Sequence, residues 1–341
     1  MTHKERFHAT IARKPVDRPA SWLGLPAPDT LPGLYSFYGV NDMNGLRRAV
    51  GDDVYPVEMP CNFPGSNAIY SALQFAKKRL SGSERTLTAP GFFEDYDDPS
   101  KIDDFNWPDP EKYIDPTECL AAVEAADDRA VVGILWSAHF QDACSAFGME
   151  TALVKMLEEP DMYRAVIDRI TEFYLKANRI FYEATYGKVD AILIGNDFGS
   201  QTNLMISPGL IREFVIPGTK RLIDQAKSYG LKVIFHSCGA IRDVIGDLIQ
   251  AGADVIHPIQ ALATGMAPQK LKDLFGNKVS FCGGVDTQYL LVYGSPEEIK
   301  SKVRELKAIF PTGLIISPSH EAILPDVNPS SIKALFEAIR E

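Results

Sequence analysis

The chain has 341 residues, 45% of them hydrophobic, and its 35 basic and 45 acidic residues give a formal net charge of -10. Neither this balance nor any local cluster of Lys and Arg suits a phosphate backbone, so no nucleic-acid partner is expected. A polar amphipathic start, no run of 18 apolar residues, and five cysteines (61, 119, 144, 238, 282) without framework spacing point away from secretion, membranes and disulfide scaffolds, and toward the cytoplasm.

Residues 1–130 are the irregular part. Pro15, Pro19, Pro26, Pro28 and Pro32 break the chain into turns, and the acidic stretch 94–110 reads as a surface excursion. This half is expected to supply early strands and a cap over the mouth of the fold. From 131 onward one pattern repeats: an apolar strand, a polar turn and an amphipathic helix. Strands are predicted at 131–136, 190–194, 233–235, 254–259, 279–282 and 314–317. Helices are predicted at 161–186, 208–229, 241–251, 268–275 and 296–309. Glycines 230, 252, 276 and 313 stand where helices hand over to strands, as helix C-caps do.

Short apolar strands alternating with helices imply a parallel sheet buried on both faces. Six such units in one direction favour a closed (β/α)8 TIM barrel, and the alternative is an open doubly wound sheet. Although the length allows two domains, a single α/β domain over 1–341 is expected. No Gly-x-Gly-x-x-Gly turn or Gly-Lys-Ser/Thr loop is present, which removes the usual nucleotide readings.

The most informative motif is His236-Ser237-Cys238, at the end of the strand 233–235. Residues at i and i+2 of a strand point the same way with alpha carbons roughly 7 Å apart, close enough to share one ion. The pair reads as half a zinc site; the plainer alternative is a structural cysteine beside a core histidine. Asp197, Gln260, Asp286 and His320 fall at other strand ends, which a barrel gathers at one mouth. A catalytic zinc keeps three protein ligands and one open position, and His320 is the expected third, unless it merely anchors a loop. Cys282 is the competing thiol. It lies four residues before Asp286, ~13 Å deeper along an extended chain, and reads as core. His257 has parity opposite to Gln260 and reads as helix-facing or loop. Asp197 and Asp286 are candidates for acid, base or substrate-orienting roles, with helix capping as the alternative. Trp22, Gln201 and Gln260 are candidate substrate contacts.

The segments Asn196-Asp197-Phe198, His236-Ser237-Cys238-Gly239, 254–260, Gly283-Gly284-Val285-Asp286-Thr287 and Gly294-Ser295-Pro296-Glu297-Glu298 resemble the uroporphyrinogen decarboxylase superfamily. The likeness is strong over 190–330, and Asp17-Arg18-Pro19 with Trp22 is similar to the family's N-terminal opening. It implies a (β/α)8 barrel with its site at the mouth. The superfamily holds metal-free decarboxylases and zinc-dependent corrinoid methyltransferases. The decarboxylases grip a substrate of eight carboxylates with arginines soon after the opening Arg-Pro. Here no arginine follows Arg18 until Arg47, and a polyanion without a cationic clamp is poorly held. The methyltransferases complete their His-x-Cys pair with a later cysteine; Pro318-Ser319-His320 stands in its place here.

The resemblance is therefore closer to the methyltransferase branch. It implies zinc on His236, Cys238 and His320, and a methyl group moved between a corrinoid (cobalamin), presented by a partner protein, and a thiol or other small-molecule acceptor. A homodimer fits this expectation. The alternatives are a uroporphyrinogen decarboxylase, in which Asp197 or Asp286 stabilises a protonated pyrrole, and a non-catalytic corrinoid or tetrapyrrole carrier.

Overall fold

A computed structural model describes residues 1–77 and 89–341. Its frame is seven parallel strands: β1 (Val54–Glu58), β2 (Ala130–Trp136), β3 (Ala191–Gly195), β4 (Lys232–His236), β5 (Val255–Ile259), β6 (Ser280–Val285) and β7 (Leu314–Pro318). They pair in chain order, and helices return the chain between most of them, as a TIM-barrel-like α/β fold requires. Both edges of the curled sheet meet one short segment. The Trp22 N–H donates to the Ile316 carbonyl at 3.1 Å, Ile316 donates to Ala20 at 2.8 Å, and Asp53 donates to Ser21 at 3.2 Å.

Side-chain alternation splits the apolar residues into two layers. Val54, Val132, Ile134, Leu193, Ile234, Val255 and Ile315 face inward with Trp22, whereas Val233, Phe235 and Ile256 pack against the surrounding helices. Cys282 is fully buried in the inner layer, where burial pushes its thiol far up, so it is core.

The strands and helices predicted after residue 131 are present. The helices Pro268–Phe275 and Pro296–Ile309 have the predicted bounds. The one predicted over 208–229 is interrupted by a π-turn at Ile211–Val215, just before Pro217, whose ring and missing N–H disfavour a regular turn there. Gly252 takes the left-handed cap conformation (φ 112°), but Gly276 stays right-handed (φ −60°).

The first helix, His3–Ile11, opens with a Thr2/Glu5 capping box and sends Phe7 and Ile11 into the inner layer beside Val54 and Ala130, at the strand starts. It plugs the end opposite the mouth, so this part of residues 1–130 is no cap over it. β1 is the early strand this half supplies, and its end residue Glu58 lines the mouth together with Tyr70. The acidic stretch 94–110 is exposed along much of its length, yet Phe105 and Trp107 anchor it in an aromatic cluster with Phe75 and Phe93. No described helix is long and apolar enough to cross a membrane.

Candidate functional site

Strand register brings the key side chains together. His236 shares the inward parity of Ile234, and in the β4–β5 ladder it stands directly opposite His257, which shares the parity of Val255. His257 is therefore an inward, fully buried residue and not a helix-facing one; the error lay in taking Gln260, which falls beyond the end of β5, as the guide to the inner face. The two rings meet Nδ1 to Nδ1 at 2.9 Å.

Cys238 Sγ lies 3.4 Å from His236 Nε2, which lies 3.3 Å from Asp197 Oδ1. These three ligand atoms are all within 4.8 Å of one another. Nitrogen, oxygen and sulfur ligands of a tetrahedral zinc, bonded at about 2.0–2.3 Å, stand roughly 3.3–3.6 Å apart. The donor set of imidazole, thiol and carboxylate thus fits a divalent cation in chemistry, and the two separations from His236 Nε2 match that spacing. A second group within the same limit comprises His236, His257 and Glu321.

The surroundings hold these atoms in place. Asp197 Oδ1 accepts the Cys238 backbone N–H at 2.9 Å, Oδ2 accepts from the Gln141 amide at 3.1 Å, and the Asp197 N–H returns to Gln141 Oε1 at 3.1 Å. The loops after β3 and β4 interlock. A Cβ on Gly239 would stand 2.5 Å from the Gly199 carbonyl carbon, and one on Gly199 would stand 2.7 Å from the Cys238 carbonyl oxygen. Gly239 also has φ +81°, which L side chains rarely adopt.

The charges are strongly coupled. Burial raises the Asp197 carboxyl, but His236 and the Cys238 N–H outweigh it and hold it at about 2. Burial likewise opposes charge on His236, yet Asp197, Cys238 and Glu321 raise it well above its ordinary value. The Cys238 thiol, pushed up by burial, is brought below its ordinary value by hydrogen bonds from His236 and His320. His257 is pushed well down by burial and then by its two histidine neighbours, so it stays neutral and can accept a proton donated by His236 Nδ1.

His320 borders the same pocket, with its ring centroid 6.4 Å from that of His236. Its Nδ1 accepts the Ala322 N–H at 3.0 Å, and the neighbouring Cys238 raises the ring above its ordinary value against the effect of burial. Neither group of three includes it. Asp286 lies elsewhere. Its carboxylate accepts the backbone N–H groups of Gln288, Tyr289 and Leu290 at 3.2, 2.7 and 2.9 Å, capping the following turn, and it lines a different depression. Trp22 is buried beneath the site, with its ring 5.0 Å from that of His257. Gln260 Oε1 accepts the Gly239 N–H at 2.7 Å and so braces the loop of Cys238. Gln201 is exposed, and its carbonyl accepts from Thr264.

Sequence reasoning missed several lining residues: Glu58, Trp136, Gln141, Asp142 and Glu321. Trp136 ends a predicted strand and carried a signal in that position alone. It sits at a register shift between β2 and β3 with φ +55°, a conformation costing about 1–3 kcal/mol, and this bends its indole toward His236, edge to face at 5.4 Å. Glu321 Oε2 is buried 3.6 Å from His236 Nδ1 and 3.5 Å from His320 Nδ1, and makes no hydrogen bond among the described residues. The cavity above these groups measures about 550 Å³, and no Lys or Arg is among its described lining residues.

The family model for uroporphyrinogen decarboxylase (URO-D) matches residues 85–341. A uroporphyrinogen decarboxylase of Chlorobium limicola is 28% identical over 193 residues, 54% of this chain and 51% of that protein. A methylated-thiol--coenzyme M methyltransferase of Methanosarcina mazei is 27% identical over 212 residues, 60% of this chain and 53% of that protein. The match spans about half the length of these curated relatives. Among solved structures, a methyltransferase from Methanosarcina mazei superposes with a TM-score of 0.73 over 99% of this chain and 98% of that one, at 18% identity, a likeness of fold.

Proposed function

Since the chain belongs to the uroporphyrinogen decarboxylase family, we propose that it is a zinc-dependent methyltransferase of that family, moving a methyl group between a corrinoid protein and a small acceptor. The observation that carries this reading is the convergence of Cys238 Sγ, His236 Nε2 and Asp197 Oδ1 within 4.8 Å at the mouth. In this reading Ala20 to Trp22 takes the eighth strand position and closes the barrel.

Zinc, when bound, supplies a Lewis-acid position that stabilises a substrate thiolate or alkoxide near neutral pH. Three residues would hold it: His236 through Nε2, Cys238 through Sγ, and Asp197 through Oδ1. Asp197 takes the place expected for His320 in the ligand set because the Ala322 N–H occupies Nδ1 of His320 and neither convergent group of three includes its ring. His320 then tempers the charge of the Cys238 thiolate. His257, kept neutral, accepts the Nδ1 proton of His236 and fixes that ring with Nε2 toward the mouth, while Gln141 orients Asp197.

Relatives bearing the decarboxylase name favour a second reading, metal-free decarboxylation. A cavity lined by carboxylates, with no described lining Lys or Arg, is a poor host for a substrate of eight carboxylates. Zinc analysis after expression in zinc-supplemented medium tests the first reading, with about one ion per chain expected. Protein without stoichiometric zinc that converts uroporphyrinogen to coproporphyrinogen would put the second in its place.

A further inference from the structure

We infer that the inner side of His236 forms a second divalent-metal position, with His236 Nδ1, His257 Nδ1 and Glu321 Oε2 as its ligands. Each nitrogen of the His236 ring has its own set of donors. Nε2 faces Cys238 and Asp197, 3.4 and 3.3 Å away, whereas Nδ1 lies 2.9 Å from His257 Nδ1 and 3.6 Å from Glu321 Oε2. His236, His257 and Glu321 each bring a ligand atom within 4.8 Å of the others. For bonds of about 2.1 Å, neighbouring ligands stand about 3.0 Å apart on an octahedral ion and roughly 3.4 Å apart on a tetrahedral one. The two separations from Nδ1 bracket these values. Two imidazoles and one carboxylate, with coordination positions left open, are a donor set for a first-row divalent transition metal. This set holds no thiolate, so the two positions differ in chemistry although they share one ring.

The pair of rings is already arranged for this exchange. At 2.9 Å, one Nδ1 carries a proton and the other aims a lone pair at it. A divalent ion entering here takes the place of that proton, which passes to solvent, and bonds both nitrogens. With zinc on Nε2, His236 then bridges the two ions as imidazolate. Glu321 Oε2 is attracted to His236 Nδ1 at 3.6 Å and to His320 Nδ1 at 3.5 Å, yet it is buried without a hydrogen bond among the described residues. A metal bond would replace these longer contacts with a shorter one. His257 is fully buried, and its Nε2 has no partner among the described residues that could draw the ring away from His236. Glu321 and His236 both line the cavity, which gives an ion a route from the mouth. Without a thiolate, and with a proton to displace, the inner position binds more weakly than the outer one. It therefore fills when metal is added beyond the first equivalent.

Titration of the metal-free full chain with cobalt(II) reads the two positions separately, because only an ion bonded to Cys238 gives an intense sulfur-to-metal charge-transfer band. Wild type is expected to take up about two equivalents, the first with the band and the second, about tenfold or more weaker, without it. Glu321→Gln and His257→Ala should each remove the second equivalent and keep the first. Cys238→Ser should remove the band and keep the bandless equivalent, and His236→Ala should remove both. If His257→Ala does not fold, Glu321→Gln, which keeps the shape of the side chain, decides alone. Uptake of the band-forming equivalent only, at millimolar cobalt, or a bandless equivalent unchanged in Glu321→Gln, overturns this inference and leaves the zinc reading standing. A bandless equivalent lost in Glu321→Gln, with no band in any sample, upholds the inference and removes the outer position. No uptake at all overturns both.

Discussion

The two ends of the strand sheet each bury a cluster of charge, but they treat it differently. At the end where the strands begin, Asp53 is fully buried and accepts hydrogen bonds from His3 and Arg6 at 2.6 Å, from Arg18 at 2.7 Å, and from Ser21. Arg6 also pairs with Asp17, and Arg47 with Asp52. At the mouth, Asp197, His236 and Cys238 share hydrogen bonds among themselves, while Glu321 Oε2 and His257 Nε2 are buried without one among the described residues. Buried charge that is fully paired holds a fold in register. Buried polar atoms left over are what a ligand completes.

The largest expected effect falls on the mouth. His236→Ala and Cys238→Ser should each abolish stoichiometric zinc and methyl transfer, read by metal analysis and a transfer assay, and Cys238→Ser, which keeps the shape of the side chain, should do so with little change in the urea midpoint of the metal-free protein. Retention of zinc by both variants would break the contrast, because the mouth would then be a closed structural cluster.

Asp53→Ala should do the reverse. Removing one partner of a buried ionic cluster costs about 3–5 kcal/mol, and Arg6 and Arg18 would both be left short of charge. Urea unfolding measures the loss, and the zinc content of the folded fraction should not change. The effect should depend on pH with a definite sign. Asp53 is pushed up by burial, but His3, Arg18 and Arg6 bring it below its ordinary 3.8. The unfolded chain therefore takes up this proton first, so the stabilisation is complete above 3.8 and is lost as pH falls through the lower folded value. The stability gap between wild type and Asp53→Ala should narrow in acid. His3 is raised, chiefly by its bond to Asp53, so its share is present below 6.5 and is lost as pH climbs through the folded value.

Gln141→Ala leaves all three donors in place and removes only the amide that aims Asp197. A loss of about 10–100-fold in zinc affinity is expected in competition with a chelator. The smallest effect is at Asp286, where Asp286→Ala should cost about 1 kcal/mol as a lost cap and leave metal content and transfer alone. Loss of transfer with intact stability would return Asp286 to the site.

The periodicity of residues after 131 made the strands legible because a parallel strand buried on both faces is apolar throughout and bounded by turn residues. His236 and Cys238 were legible for a related reason: parity is local, so two residues apart on one strand must share a face. What escaped were features set by pairing between strands. His257 enters the site because it lies opposite His236 in register, and Trp136 because β2 shifts against β3, and neither fact is written in a single strand. Asp286 and His320 also occupy strand-end positions, but backbone N–H groups engage both side chains in their own loops, a competition that strand counting does not weigh. The plug formed by His3–Ile11 was hidden because a short amphipathic helix does not announce which end of a sheet it covers.

The contact between Gly199 and Gly239 carries one more implication. With bare backbone pressed against bare backbone, the turns bearing Asp197 and Cys238 form a single solid piece. Thermal motion that widens the entrance must then carry the carboxylate and the sulfur together, keeping their separation constant while the walls around them breathe. Even an alanine at 239 would wedge that joint apart, shifting the sulfur against the carboxylate without altering either side chain.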